Sequence, residues 1–324
     1  MPISPEKIEK NETPASSTFT VDHQRTLSCF ENISMMVGNT PLVKLSRVNE
    51  NPNVTIWGKL ESKNPGGSVK DRPAKYMFEG AEKSGKLYPG IQLIEPTAGN
   101  TGIALAMIAA SKGYKIELAM PENASKERVK IMAAYGAKVT LTPAARQMEG
   151  AIDYVREKIE KHKDTYYMFD QFSTPDNIRA HYEGTGHEIW RDTKGSITHF
   201  VSAMGTTGTV MGVSKYLRER NPKIKIVGAQ PTEGSSIPGI RRWPKEYLPK
   251  IYNPSAVDQL MNVSESEANA MARRVAKEEG ILCGVSSGGA IFLACEVAKK
   301  MEKGVIVCII CDGGERYLST DLFC

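Results

Sequence analysis

From residue 54 onward, short apolar runs alternate with longer stretches of helical periodicity, and this limits the chain to mostly parallel sheet covered by helices. The pattern predicts strands at 54–60, 91–95, 115–120, 137–141, 166–169, 198–203, 224–229 and 304–310. Helices are predicted at 73–84, 101–112, 125–135, 147–162, 176–192, 208–220, 264–279 and 287–301. The fold class is therefore α/β. Such sheets bind ligands beyond the carboxyl ends of their strands, so the loops that follow strands are where chemistry is expected. The segment from Pro231 to Pro254 is irregular and carries S-I-P-G-I-R-R-W-P at 236–244. It is too apolar for a free linker and reads as an ordered surface loop near the site.

Length and charge exclude several alternatives. At 324 residues the chain has room for two lobes or one large domain. No window approaches the roughly 20 apolar residues that span a bilayer, so no membrane partner is expected. The excess of 42 basic over 37 acidic side chains is mild and forms no long run, so no nucleic-acid partner is expected either. Residues 1–30 are rich in Pro, Ser, Thr and Glu without periodicity and read as a disordered or draped extension. They show neither the basic bias of a transit peptide nor a secretory apolar core, which leaves the cytoplasm as the expected location. Cys308 and Cys311 have C-x-x-C spacing inside a strand-like run, where alternation puts them on opposite faces. Together with Cys29, Cys283, Cys295 and Cys324 they read as reduced thiols, and no metal site is expected.

Four loops carry chemistry-bearing residues. In N-P-G-G-S-V-K-D-R at 64–72, Lys70 follows a flexible turn, and Pro73 suits the first turn of a helix. A lysine desolvated enough to lose its proton can attack an aldehyde. In E-P-T-A-G-N-T-G at 95–102, hydroxyls, an amide and backbone N–H groups open an apolar helix and can hold a carboxylate. In S-A-M-G-T-T-G-T-V at 202–210, several N–H donors and three hydroxyls stand at a helix start with no charged side chain. That suits a small phosphate-bearing ligand rather than a nucleotide, because the Gly-Lys-Ser/Thr ending of a P-loop is missing. In C-G-V-S-S-G-G-A at 283–290, Ser286 or Ser287 can cap a helix or meet a ring nitrogen. Each loop alone has a bland reading as a turn or a cap. Together they suggest an enzyme that binds an amino acid to pyridoxal phosphate.

These motifs, in this order, resemble the cysteine synthase family of fold-type II pyridoxal-phosphate enzymes over roughly residues 31–320. The resemblance includes V-G-N-T-P-L-V-K-L at 37–45, and its nearest branch is the B-type O-acetylserine sulfhydrylases. The branch markers are D-Q-F at 170–172, E-G-S-S-I-P-G-I-R-R-W-P at 233–244 and I-I-C-D-G-G-E-R-Y-L-S-T at 309–320. The resemblance implies two α/β domains with the active site between them. These are a larger cofactor domain of residues 31–75 plus 176–324 and a smaller one of residues 76–175. The cofactor is pyridoxal 5'-phosphate.

By the same resemblance Lys70 forms the Schiff base and removes the substrate α-proton. Asn100 meets the ring hydroxyl, Gly205, Thr206, Thr207, Gly208 and Thr209 hold the phosphate, and Ser286 meets the pyridine nitrogen. Thr97, Ala98, Gly99, Thr101 and Gln171 form the substrate-carboxylate site, and Arg241 and Arg242 favour an anionic sulfur donor. The implied reaction is β-replacement through an aminoacrylate, giving L-cysteine or S-sulfocysteine from O-acetyl-L-serine or O-phospho-L-serine and sulfide or thiosulfate. Cystathionine β-synthase or cyanoalanine synthase activity differs only in the nucleophile, and a non-catalytic regulatory protein that keeps the cofactor is the reading from another class. A homodimer is implied, without the serine acetyltransferase complex of the A-type branch. Two positions depart from the pattern. Ala98 stands where the family carries a serine, and losing a hydrogen bond to a charged carboxylate is expected to weaken binding by roughly 10- to 150-fold. Gly313-Gly314 stands where the B-type branch usually carries an arginine.

Overall fold

Strands that read as unbroken apolar runs are the ones buried on both faces. In the computed structural model, which describes residues 29–97 and 99–324, the strand Gly304–Ile310 has Ile306 to Ile310 fully buried. Residues 1–28, most of the expected extension, and Ala98 lie outside the described residues. Asn32–Cys324 form one compact unit whose strands divide between two sheets.

In chain order the strands begin with β1 (Leu42–Lys44), β2 (Val54–Leu60), β3 (Gln92–Pro96), β4 (Ile116–Pro121) and β5 (Lys138–Thr142). They continue as β6 (Tyr166–Tyr167), β7 (His199–Ala203), β8 (Lys225–Pro231), β9 (Gln259–Val263) and β10 (Gly304–Ile310). The larger sheet has the order β1-β2-β10-β7-β8-β9, parallel throughout except for the antiparallel β1. The smaller sheet, β5-β4-β3-β6, is entirely parallel and uses residues 92–167. Parallel pairing requires crossovers, and helices supply them.

The helices are α1 (Asp71–Lys83), α2 (Asn100–Lys112), α3 (Lys126–Ala134), α4 (Gln147–Lys161) and α5 (Pro175–Ala180). The remainder are α6 (His187–Asp192), α7 (Gly208–Arg220), α8 (Glu265–Glu279) and α9 (Val285–Ala298). On β10 the period of two is plain. Ile306, Cys308 and Ile310 pack with α8 and α9 on one face, while Val307 and Ile309 pack with α7 on the other. Cys308 and Cys311 accordingly belong to opposite faces, and the described cysteines are all free thiols. Among the described residues no helix is long and apolar enough to cross a membrane, and no group of metal-ligating side chains gathers.

Two strands and one interruption were not legible. β1 has three residues, and β9 is a largely exposed edge strand, so neither gives an apolar run. The helix expected over 176–192 is broken by a π-helical turn at His181–Gly186. Helix α7 crosses there so closely that a Cβ on Gly212 would stand 2.4 Å from the Ile178 carbonyl oxygen. The wider turn carries His181 inward, a placement in keeping with the tendency of π-turns to sit at functional sites.

Candidate active site

The loops after β2, β3, β7 and β10 and the start of α9 line one cavity. Lys70 reaches it from the turn before α1. Val69 N–H donates to Cys311 O at 2.8 Å and Ser68 bridges to Asp312, so the lysine is stitched to the end of β10. Burial lowers the Lys70 pKa below the usual lysine range, while Cys311, Asp312 and Glu61 pull toward the cation. An amine so placed gives up its proton more readily than one in water.

Behind it, Arg72 is buried between two carboxylates. Its Nε and Nη2 donate to Glu61 at 2.6 and 2.9 Å, and its Nη1 and Nη2 donate to Glu188 at 2.8 and 2.7 Å. This cluster fixes the first turn of α1.

The loop after β3 divides its labour. Thr97 is fully buried and faces away from the cavity, where its Oγ1 accepts the N–H groups of Gly99 at 3.0 Å and Gly102 at 2.9 Å. It therefore shapes the start of α2. Gly99 has φ +135°, and a Cβ there would stand 2.3 Å from Arg128 Cδ, so the position requires glycine. Thr101 faces the cavity and donates its hydroxyl to Gln171 Oε1 at 2.8 Å, while Gln171 Nε2 donates to Pro96 O at 2.9 Å. Asn100 is held at both ends of its amide. Its Nδ2 donates to Asp312 Oδ2 at 2.7 Å, and its Oδ1 accepts from Arg316 Nη1 at 2.6 Å. One N–H remains to turn toward a ligand. The expectation concerning Ala98 falls outside the described residues.

The loop after β7 forms an anion cup. Thr207 has φ +69°, which curls Gly205 to Thr209 into the N-terminus of α7, where the first turn leaves N–H groups without intrahelical partners. The Thr207 hydroxyl is buried with no hydrogen-bond partner, as expected of a group waiting for a ligand. Asn177 Nδ2 donates to Thr206 Oγ1 at 3.2 Å, and His181 Nε2 lies 3.2 Å from Thr209 Oγ1. Burial, with Arg72 and Lys70 nearby, holds the His181 pKa well below its ordinary value, so the ring is neutral. Gly208 lies behind the cup wall, and a Cβ there would collide with Asn177 Oδ1.

Ser286 lines the cavity beside Cys311, while Ser287 turns away and accepts the Cys311 N–H at 2.9 Å. The two arginines also separate. Arg241 lines the cavity, pairs with Glu149 at 3.3 Å and lies 5.0 Å from the Trp243 ring centroid. Arg242 faces an outer cleft and donates to Pro231 O and Asn262 Oδ1. Burial lowers the Arg241 pKa despite Glu149. Thus Lys70, Gly99, Asn100, Thr101, Gln171, Gly205, Thr206, Thr207, Thr209, Arg241 and Ser286 share one wall, with Thr97, Gly208 and Arg242 behind or beside it. Sequence reasoning missed Asn177, His181, Asp312 and Arg316. Asp312 and Arg316 lie in D-G-G-E-R, which the sequence shows as a branch marker with Gly313-Gly314 departing from it, and nothing local in the sequence points to Asn177 or His181.

A desolvated lysine, a loop of hydroxyl, amide and N–H groups opening α2, and an uncharged cup at the start of α7 line one cavity, as a fold-type II pyridoxal-phosphate enzyme requires. The chain belongs to the pyridoxal-phosphate dependent enzyme family, whose sequence model matches residues 33–312. It is 54% identical over 294 residues to cysteine synthase B of Pseudomonas aeruginosa, covering 91% of this chain and 98% of that one. Identity to cysteine synthase B of Salmonella typhimurium is also 54%, over 90% of this chain and 95% of the relative. The crystal structure of cysteine synthase from Entamoeba histolytica superposes with a TM-score of 0.85 at 40% identity, over 97% and 94% of the two chains. The unpartnered Thr207 hydroxyl and the free N–H groups at the start of α7 fit the cofactor phosphate.

Proposed function

We propose that the protein makes L-cysteine or S-sulfocysteine by β-replacement, taking O-acetyl-L-serine or O-phospho-L-serine as the amino-acid substrate and sulfide or thiosulfate as the sulfur donor. The observation that carries this reading is Lys70 sharing a cavity with Thr101 and Gln171 on one side and the Gly205–Thr209 cup on the other. When bound, pyridoxal phosphate would supply an aldehyde for the lysine amine and an electron sink for the pair left on the α-carbon once its proton is taken.

The residues then have distinct tasks. Lys70 anchors the cofactor, takes the α-proton and later returns one. Thr101 and Gln171, with the N–H groups opening α2, receive the substrate carboxylate. Thr206, Thr207 and Thr209 receive the phosphate. Asn100 directs its remaining N–H at the ring hydroxyl, and Ser286 meets the ring nitrogen without adding charge. Arg241 offers a guanidinium at the cavity mouth to an anionic donor. The larger and smaller lobes, residues 31–75 plus 176–324 and 76–175, close on the substrate from either side. A cytoplasmic homodimer without a serine acetyltransferase complex accompanies this reading.

The test is product formation by the purified yellow protein given O-acetyl-L-serine or O-phospho-L-serine with sulfide or thiosulfate, identified by mass spectrometry. Absence of a sulfur amino acid from every pairing would remove the proposal. Arg241→Gln is expected to raise KM for thiosulfate by about tenfold more than it changes KM for sulfide, since charge-assisted bonds act on the anion. An equal change for both donors would take Arg241 out of donor recognition.

A further inference from the structure

Glu95 is the penultimate residue of β3, is fully buried, and takes part in no ion pair among the described residues. Its carboxylate is instead satisfied by backbone. Oε2 accepts the N–H groups of Phe169 at 3.1 Å and Asp170 at 3.2 Å, and Oε1 accepts that of Gln171 at 3.0 Å. Burial raises its pKa to about 8 against the pull of the Gln171, Asp170 and Phe169 N–H groups, which favour the ionised, fully accepting form.

The segment it grips is itself unusual. Asp170 has φ +55°, a left-handed conformation that costs a non-glycine residue energy unless its surroundings impose it. The next residue is Gln171, whose side chain bonds back to Thr101 and Pro96. Segments 95–101 and 169–171 are thus tied twice, by the Glu95 carboxylate to the backbone and by the Gln171 amide to the carboxylate loop.

We propose that Glu95 is a positioning residue of the substrate-carboxylate site, its carboxylate clamping three consecutive N–H groups so that Asp170 stays left-handed and Gln171 stays aimed at Thr101. The proposal rests on the reading of Thr101 and Gln171 as carboxylate ligands. Glu95 itself touches no substrate. Its effect is exerted through the backbone of Gln171 and falls first on amino-acid binding; the phosphate cup is reached only at one remove, through Asn177, whose Nδ2 donates to both Gln171 O and Thr206 Oγ1.

The experiment compares wild-type holoenzyme with Glu95→Gln, in which an amide NH2 replaces one acceptor oxygen and opposes an N–H. Hydrogen exchange across residues 168–173 is expected to accelerate in the variant. KM for O-acetyl-L-serine should rise about tenfold or more, with kcat changed much less and cofactor retained on dialysis as in wild type. Adding Asp170→Gly, which adopts φ +55° without strain, should lower KM again while exchange stays fast, because glycine supplies no acceptor for the freed N–H groups. A purely structural role would lower KM-independent properties together (cofactor retention, kcat and melting temperature) and would not respond to Asp170→Gly. Unchanged exchange and KM in Glu95→Gln, or no rescue of KM by Asp170→Gly, overturns the proposal. Should Glu95→Gln fail to fold, Asp170→Val strains the same backbone and must raise KM in the same way. If wild type does not consume O-acetyl-L-serine, the functional reading fails, and the exchange data still decide whether Glu95 holds the loop.

Discussion

Replacing Lys70 by alanine is expected to lower turnover by at least about 1,000-fold while leaving the cofactor cup intact, because a positioned acid–base group contributes roughly 100- to 10,000-fold and Lys70 also anchors the cofactor. The Gly205–Thr209 loop, with Asn177 and His181 behind it, is built independently of the lysine amine, so the variant still takes up the cofactor. Borohydride treatment followed by peptide mapping is expected to fix the cofactor to the peptide containing Lys70 in wild type and to no peptide in the variant. Lys70→Arg should fail equally, since a guanidinium keeps its charge and cannot take a proton. Burial lowers the Lys70 pKa, so the acid limb of the wild-type profile should rise through a pH below the usual 10.5 of a lysine. Near-normal turnover in Lys70→Ala would show that the proton is moved by another group.

Why Lys70 could be singled out from sequence, when His181 and Asp312 could not, follows from what a local pattern contains. The Gly66-Gly67 turn, the helix start and the strand before them are all written within a few residues of the lysine. The same holds for Thr101 and for the Gly205–Thr209 cup, where glycines and hydroxyls open a helix directly after a strand. His181 sits in a π-turn packed against Gly212 of another helix, and Asp312 meets Asn100 across 212 positions of chain. Thr97 shows a local role that the sequence did not spell out: its Oγ1 accepts two backbone N–H groups of its own loop, which leaves its O–H free to donate. The parallel core strands were legible because burial on both faces leaves an unbroken apolar run, whereas the edge strand β9 needs no such run.

Arg72→Leu is expected to destabilise the protein by about 3–5 kcal/mol, because it strands two carboxylates that share one buried guanidinium. Glu61 is fully buried and Glu188 nearly so, and the guanidinium donates to both as well as to Thr40 Oγ1 at 3.1 Å. Lys59, 2.7 Å from Glu188, cannot serve Glu61 at the same time without leaving the Thr40 carbonyl. For a chain of 324 residues the loss corresponds to a fall in Tm of roughly 4–7 °C. The pH dependence gives the mechanism away. Burial would raise the Glu188 pKa, but the hydrogen bonds and charges of Arg72 and Lys59 together hold it at about 2. A depressed carboxylate stabilises fully above its unfolded pKa near 4.5 and loses that contribution as pH falls toward 2. The stability gap between wild type and variant should therefore narrow across that interval in denaturant titrations. A gap that stays constant would mean that Arg72 acts through packing of its stem rather than through its charge. Arg72→Leu combined with apolar replacements at 59, 61 and 188 should recover much of the loss, since Lys59 is also buried on Glu188 and only removal of the whole cluster leaves no buried ion of it unpaired. Recovered stability need not return activity, because the same cluster fixes the first turn of α1 and with it the reach of Lys70.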